Sequence, residues 1–168
     1  MGQVRRWVAS RVNRQSLQHS ARTGVGAMAS LVVARMFGLP EACWASITTL
    51  IVMQSTLGTA LTISGQRFAG TALGAALGAL GAAYFGPSVI VFSIAVFLTG
   101  IICAVLGLGR TAYRFAGITL AIVMLVARNQ DPWVKAAHRF VEVSVGIAVG
   151  LALTALWPER QPMSAAPP

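Results

Sequence analysis

Acidic residues are almost missing from this chain. Four occur in 168 residues, Glu41, Asp131, Glu142 and Glu159. No nucleophile–base pair or carboxylate dyad stands out, and none of the four has a convincing partner at catalytic spacing. Histidine appears twice, His19 and His138, far apart in sequence. No Cys/His grouping has metal-ligand spacing, and no Gly-rich phosphate loop is present. These absences point to a non-enzyme without cofactor or metal, and they exclude an ATP-driven pump acting alone. Cysteine is limited to Cys43 and Cys103. The topology read below sets them towards opposite faces of a membrane. A disulfide needs Cα atoms within about 7 Å, so no bridge within one chain is expected.

Charge of either sign is scarce as well, at 10% of residues against 56% apolar. Soluble domains carry about a quarter charged residues. A chain of this length cannot hide so much apolar surface in a soluble core, and the composition reads as an all-α, multi-pass membrane protein. Twelve Arg and one Lys give a net charge of +9. They sit at the ends of apolar runs, where they act as topology signals and contacts to anionic headgroups rather than as a nucleic-acid surface. No cleavable signal peptide is evident, and the first apolar segment reads as a retained helix.

Three organisational regions are expected. Residues 1–20 form a basic cytoplasmic leader, with Val4, Trp7, Val8 and Val12 at helical spacing; it is either an amphipathic surface helix or a disordered basic arm. Residues 21–157 form a six-helix membrane domain. Residues 158–168 form a Pro-rich, disordered cytoplasmic tail. The first crossing runs about Ala21 to Leu39 and ends at Gly38-Leu39-Pro40. The second is the uncharged stretch Ala42 to Gln66, long enough to span a bilayer. Phe68 to Gly109 is too long for one crossing and is broken at Gly86-Pro87, since Pro cannot continue a helix interior. The fifth runs about Tyr113 to Ala127 and the sixth about Ala137 to Trp157. In the third crossing Gly70, Gly74, Gly78 and Gly81 repeat at roughly one-turn spacing, a face that lets helix backbones approach closely.

With the N-terminus inside, Arg5, Arg6, Arg11, Arg14, Arg22, Arg67, Arg110, Arg114 and Arg160 face the cytoplasm, and Arg35, Arg128, Lys135 and Arg139 face outward. That asymmetry predicts both termini cytoplasmic, and the expected location is an inner, bacterial-type plasma membrane.

The two halves of the chain match each other. Ile47 to Met53 (ITTLIVM) parallels Ile118 to Met124 (ITLAIVM), an offset of 71. Arg67-Phe68, Gly74 and Gly78 recur as Arg139-Phe140, Gly146 and Gly150, an offset of 72. A three-crossing unit repeated once is necessarily inverted, and transporters commonly place their pathway at such a repeat interface. The second and fifth crossings are then equivalent pathway walls. The second carries Thr48, Thr49, Gln54, Ser55, Thr56, Thr59 and Thr62. Two readings stand: helix–helix glue, or a wet wall with Thr48, Ser55, Thr59 and Thr62 in one stripe, Gln54 at its edge, and Thr119 as counterpart of Thr48. Arg35, Arg67, Arg114, Arg128 and Arg139 at span ends either snorkel as anchors or funnel an anion, since a guanidinium fork fits a planar carboxylate. Glu142 either pairs with Arg139, three residues earlier on one helical face, or carries protons.

Pro40-Glu41, Trp44-Ala45, Thr48, Gln54 and Gln66-Arg67-Phe68, followed by a Gly-rich span, resemble the membrane block of the fusaric acid resistance/aromatic acid exporter family. That family is more distantly similar to plant aluminium-activated malate channels. The likeness begins at Arg22-Thr23, passes through Ala34-Arg35 and Gly38-Leu39-Pro40, and extends to about Gly86. It implies an efflux carrier or channel for small organic anions such as aromatic carboxylates. Larger members carry further cytoplasmic regions and often two membrane blocks, so one block implies a homodimer or larger assembly. The inside-negative potential favours exit of a monovalent anion by about 2.3 kcal/mol per 100 mV. The competing reading is an accessory or structural membrane subunit without its own pathway. A cation or neutral-drug exporter is disfavoured by the lack of a mid-span acid.

Overall fold

A computed structural model describes residues 14–53, 56–126 and 130–157. The leader to residue 13, the tail from residue 158, and three candidate positions, Gln54, Ser55 and Arg128, lie outside the described residues. Among the described residues every regular element is helical: α1 (Arg14–Met36), α2 (Cys43–Val52), α3 (Leu57–Phe85), α4 (Val89–Val105), α5 (Gly109–Ala121) and α6 (Pro132–Leu156). α5 continues as a π-helical turn over Ile122–Val126. Three of these are long and apolar enough to cross a membrane: α3, α5 with its π-helical extension, and α6.

Several boundaries follow local chemistry. α1 closes where Gly38 adopts a left-handed φ of 67°, and the Leu39 and Gly38 N–H groups donate back to the Ala34 and Arg35 carbonyls. This C-terminal motif favours glycine because a Cβ is penalised there. Gly86, at φ 74°, ends α3 just before Pro87. α6 begins earlier than the apolar pattern indicates. Asp131 caps it, its Oδ1 accepting from the N–H groups of Trp133 at 2.8 Å and Val134 at 3.3 Å, and Pro132 occupies the first turn, where its missing N–H costs nothing. At the other end of the chain, α1 starts at Arg14 and so runs through the boundary expected at residue 20.

The stretch Ala42 to Gln66 is not one helix. α2 ends after ten residues, with the Met53 N–H donating to Thr49 O. A new helix starts after Thr56, which has the extended backbone of an N-cap (φ −62°, ψ 160°). Ala60 N–H closes onto Thr56 O at 2.7 Å, and the Thr56 and Thr59 hydroxyls meet at 3.0 Å. The Thr56 side chain makes no hydrogen bond to the first-turn N–H groups, its hydroxyl lying against that of Thr59 instead. The chain also reverses here. In a continuous helix Thr48 and Arg67 would lie about 28 Å apart along the axis, yet Arg67 hydrogen-bonds Thr48. Arg67 is therefore inside α3, as its eleventh residue, and not at the end of a crossing. Arg139 lies likewise within α6, as its eighth residue.

Two helix pairs form the centre. α3 packs mainly on α5 and α6, and α6 also packs on α2. Gly70, Gly74 and Gly78 of α3 rest in rising order on Ala112, Ala116 and Leu120 of α5, so those helices run parallel. Gly146 of α6 rests on Ala45 and Thr48 of α2, and Gly150 on Thr49 and Val52, which makes that pair parallel too. A Cβ at Gly74 would stand 2.8–2.9 Å from the Ala116 backbone carbon atoms. The expected close-approach role of these glycines is what the structure shows. The apolar core is correspondingly thin and Ala-rich. Val52, Val143 and Ile147 cluster with Ala60, and Ala75, Ala79 and Val123 cluster with Ala136.

Candidate functional site

The polar chemistry of the interior gathers around two arginines. Phe68 and Phe140, the residues that follow them, touch ring to ring at 4.8 Å between centroids where α3 and α6 meet. Arg67 and Arg139 thus project from adjacent points of the two central helices, and both are almost fully buried.

Arg67 is 7% exposed. Its Nε and Nη2 donate to Thr48 Oγ1 at 3.2 and 2.9 Å. The Thr48 hydroxyl gives its own proton to the Trp44 carbonyl at 2.8 Å, which leaves its lone pairs for the guanidinium. The Arg67 Cζ lies 4.6 Å from the centre of the Phe115 ring, a cation–π contact across from α5. Among the described residues no carboxylate ion-pairs with Arg67.

Arg139 has the opposite surroundings. Its Nη1 lies 3.5 Å from Glu142 Oε2 and 4.0 Å from Glu41 Oε2, so the pairing expected between Arg139 and Glu142 is formed. Its Cζ stacks 3.5 Å above the Trp44 ring. Trp44 Nε1 donates to Glu41 Oε2 at 2.9 Å, and the Glu41 backbone N–H donates to Glu142 Oε1 at 3.0 Å. Lys135 is buried beside this group, its Nζ without a hydrogen-bond partner among the described residues. Two cations therefore share the region with two acids. The void among Glu41, Lys135, His138, Arg139 and Glu142 holds about 10 Å³, room for one water at most.

The remaining candidates scatter. Thr48 is fully buried and bonded to Arg67. Thr49 Oγ1 reaches the Gly146 carbonyl of α6 at 2.9 Å, interhelical glue of the sort small polar residues provide in membranes. Thr59 and Thr62 are exposed on α3, and Thr62 donates to its own helix at Gly58 O. Because α2 and α3 are separate helices that fold back, Thr48 cannot share one helical stripe with Thr59 and Thr62; that expectation is corrected. Thr119 is buried on α5. Arg35 and Arg114 are exposed. Arg22 is buried and donates to Thr154 Oγ1 at 3.1 Å, tying α1 to α6.

Residue-by-residue reading of the sequence missed Glu41, Lys135 and Phe115 as members of this region. The repeat itself held the signal for Phe115, since the offset of 71 carries Trp44, which stacks under Arg139, onto Phe115, which stacks under Arg67.

Apolar helices long enough to cross a membrane, closely packed on glycine around a buried guanidinium, define a helical membrane protein. The chain belongs to the fusaric acid resistance protein-like family, whose model matches residues 27–153. It is 27% identical over 146 residues to Inner membrane protein YeeA of Escherichia coli (strain K12), an alignment covering 84% of this chain and 41% of that relative. The chain thus spans about two fifths of the length of the curated relative it matches. No solved structure matches it.

Proposed function

We propose that the chain forms a path across the inner membrane for small organic anions, aromatic carboxylates among them, as an efflux carrier or channel, and that Arg67 recognises the anion. One observation carries this reading. Arg67 is a buried cation without a countercharge among the described residues, while its neighbour Arg139 faces two carboxylates. Buried charges are normally paired because an uncompensated one costs several kcal/mol. A carboxylate ligand would supply the missing charge and meet a guanidinium whose fork suits it, with Phe115 offering an aromatic face. In this reading Glu142 serves to neutralise Arg139.

The scaffold we propose is six crossings in a three-plus-three inverted repeat, both termini cytoplasmic, assembled as a homodimer or larger. Matched contacts support the repeat. Arg67 lies over Phe115 as Arg139 lies over Trp44. Gly74 rests on Ala116 as Gly146 rests on Ala45. Val123 clusters with Ala75 as Val52 clusters with Ile147. The Phe68–Phe140 contact joins a residue to its own repeat mate, as expected on a twofold axis. Both middle helices also leave α-geometry at equivalent places, α2 after Val52 and α5 at Ile122, and interrupted helices are a recurring feature of transporter sites.

The test is flux of benzoate-type anions into proteoliposomes. Wild-type protein should transport. Arg67→Gln, which keeps hydrogen-bonding ability, should lose at least tenfold in rate while remaining folded, and Arg67→Lys should retain part of the rate. Full flux in folded Arg67→Gln would remove the residue from the path. No flux in the wild type would favour the accessory-subunit reading.

A further inference from the structure

A cleft of about 610 Å³, lined by neither Arg67 nor Arg139, runs between the C-terminal half of α4 and the start of α5. Phe97, Gly100, Ile101 and Ala104 line it from α4, and Arg110 and Tyr113 from α5. Its size falls in the range of small-ligand sites. The local sequence explains the space. Gly107 in the turn and Gly109 at the start of α5, at left-handed φ of 65° and 77°, line it without side chains of their own. Gly100 lets the Tyr113 ring lie close against α4, where a Cβ would meet that ring at 3.3 Å.

Two features give the cleft a polarity. The wall is apolar and continuous with an exposed apolar face of α4, formed by Ile94, Phe97, Leu98, Ile101 and Val105. In a membrane protein that face meets acyl chains, so the cleft opens to lipid. Among the described residues the one charged group lining it is Arg110, at the helix-turn end. Neither α4 nor α5 contains an acid, and among the described residues no carboxylate pairs with Arg110. An apolar trough open to acyl chains and ending in an unpaired guanidinium is complementary to one amphiphile, a chain with an anion at its head.

We infer that this cleft is a binding site for an anionic glycerophospholipid, with one acyl chain along α4 and the phosphodiester on Arg110. Arginine suits a phosphodiester because its fork donates to two oxygens at once, and basic pockets between membrane helices bind anionic headgroups in this way. A water-borne aromatic acid fits the charge but would leave most of the trough unfilled and does not account for its opening towards the lipid face. The inference rests on the chain residing in a membrane and is independent of any transport path.

The test uses the detergent-purified full chain and native mass spectrometry, titrating phosphatidylglycerol, phosphatidylcholine of the same acyl chains, and inorganic phosphate. Phosphatidylglycerol should be retained on the order of fivefold more tightly than phosphatidylcholine, the worth of one basic contact. Arg110→Gln should abolish that preference. Ala104→Phe, which fills the trough at an exposed position and keeps Arg110, should weaken both lipids, and Arg35→Gln, an exposed arginine elsewhere, should change neither. Circular dichroism confirms folding of each variant. Equal retention of the two lipids, or an unchanged preference in folded Arg110→Gln, would reduce the cleft to ordinary boundary lipid and overturn the proposal. Competition by inorganic phosphate with no effect of Ala104→Phe would make it a free-anion site, and loss of binding on dimer formation would make it a subunit contact; either also overturns it.

Discussion

A single methyl group placed at Gly74 tests how the two helical pairs are built. In α3 a Cβ at residue 74 would overlap the Ala116 carbonyl oxygen of α5 and stand 2.8 and 2.9 Å from its carbon neighbours. Non-bonded carbons prefer about 3.5–4.0 Å. The obstacle is backbone, so no side chain can swing aside and the helices must separate by several tenths of an ångström or more. Overpacking of this kind costs about 1–3 kcal/mol. Alanine also gains about 0.8–1.0 kcal/mol over glycine in a helix, which would blur the result. Gly65, nine residues earlier on the same helix, removes the ambiguity because a Cβ there meets nothing within 4 Å. Gly65→Ala takes the propensity gain alone, and its difference from Gly74→Ala isolates the packing cost at about 1–3 kcal/mol. The assay is reversible unfolding in mixed micelles, comparing midpoints. The repeat adds a second demand. Gly146 faces Ala45 and Thr48 as Gly74 faces Ala116, with a Cβ 2.6 Å from Thr48 Cβ, so Gly146→Ala should cost a similar amount. It should also reduce anion flux more than Gly74→Ala, since displacing Thr48 disturbs the hydrogen bonds that hold Arg67. Equal stability of Gly74→Ala and Gly65→Ala would refute the close helix contact and the reasoning built on it.

Other outcomes follow from the same geometry. Glu142→Gln removes the closer carboxylate from a buried guanidinium and should cost about 3 kcal/mol in the same unfolding assay. Glu41→Gln, on a side chain 39% exposed and 4.0 Å away, should cost less; the reverse order would contradict the assigned pairing. Cys43 is exposed and Cys103 buried, both as free thiols, so a maleimide should label Cys43 in the folded protein and Cys103 only after unfolding. Rapid labelling of Cys103 would show that α4 packs more loosely than described. A reporter fused at the C-terminus should be active only in the cytoplasm, and periplasmic activity would overturn the proposed orientation.

The class of this protein was legible in its composition, because 56% apolar and 10% charged residues leave few alternatives to helices in lipid. The breaks at Gly38 and Gly86-Pro87 were legible because they are local: a left-handed φ and a missing N–H mark themselves in the sequence. So was the glycine face of α3, since helical periodicity is a local property. The reversal after Met53 was not. No glycine or proline marks it, and the hydroxyl residues near it, Thr56 and Thr59, serve a wet stripe and a helix start equally well until the chain direction is known. Reading that stretch as one helix put Arg67 at a membrane face, whereas the fold buries it against Thr48 and Phe115. Its lack of a countercharge among the described residues, and the abundance around Arg139, depend on contacts between residues about a hundred positions apart, such as Glu41 and Glu142. Sequence patterns carry the preferences of each segment for lipid, turn or helix. Which buried charges meet is decided only when the helices pack, because burial and pairing are properties of the neighbours that the fold supplies.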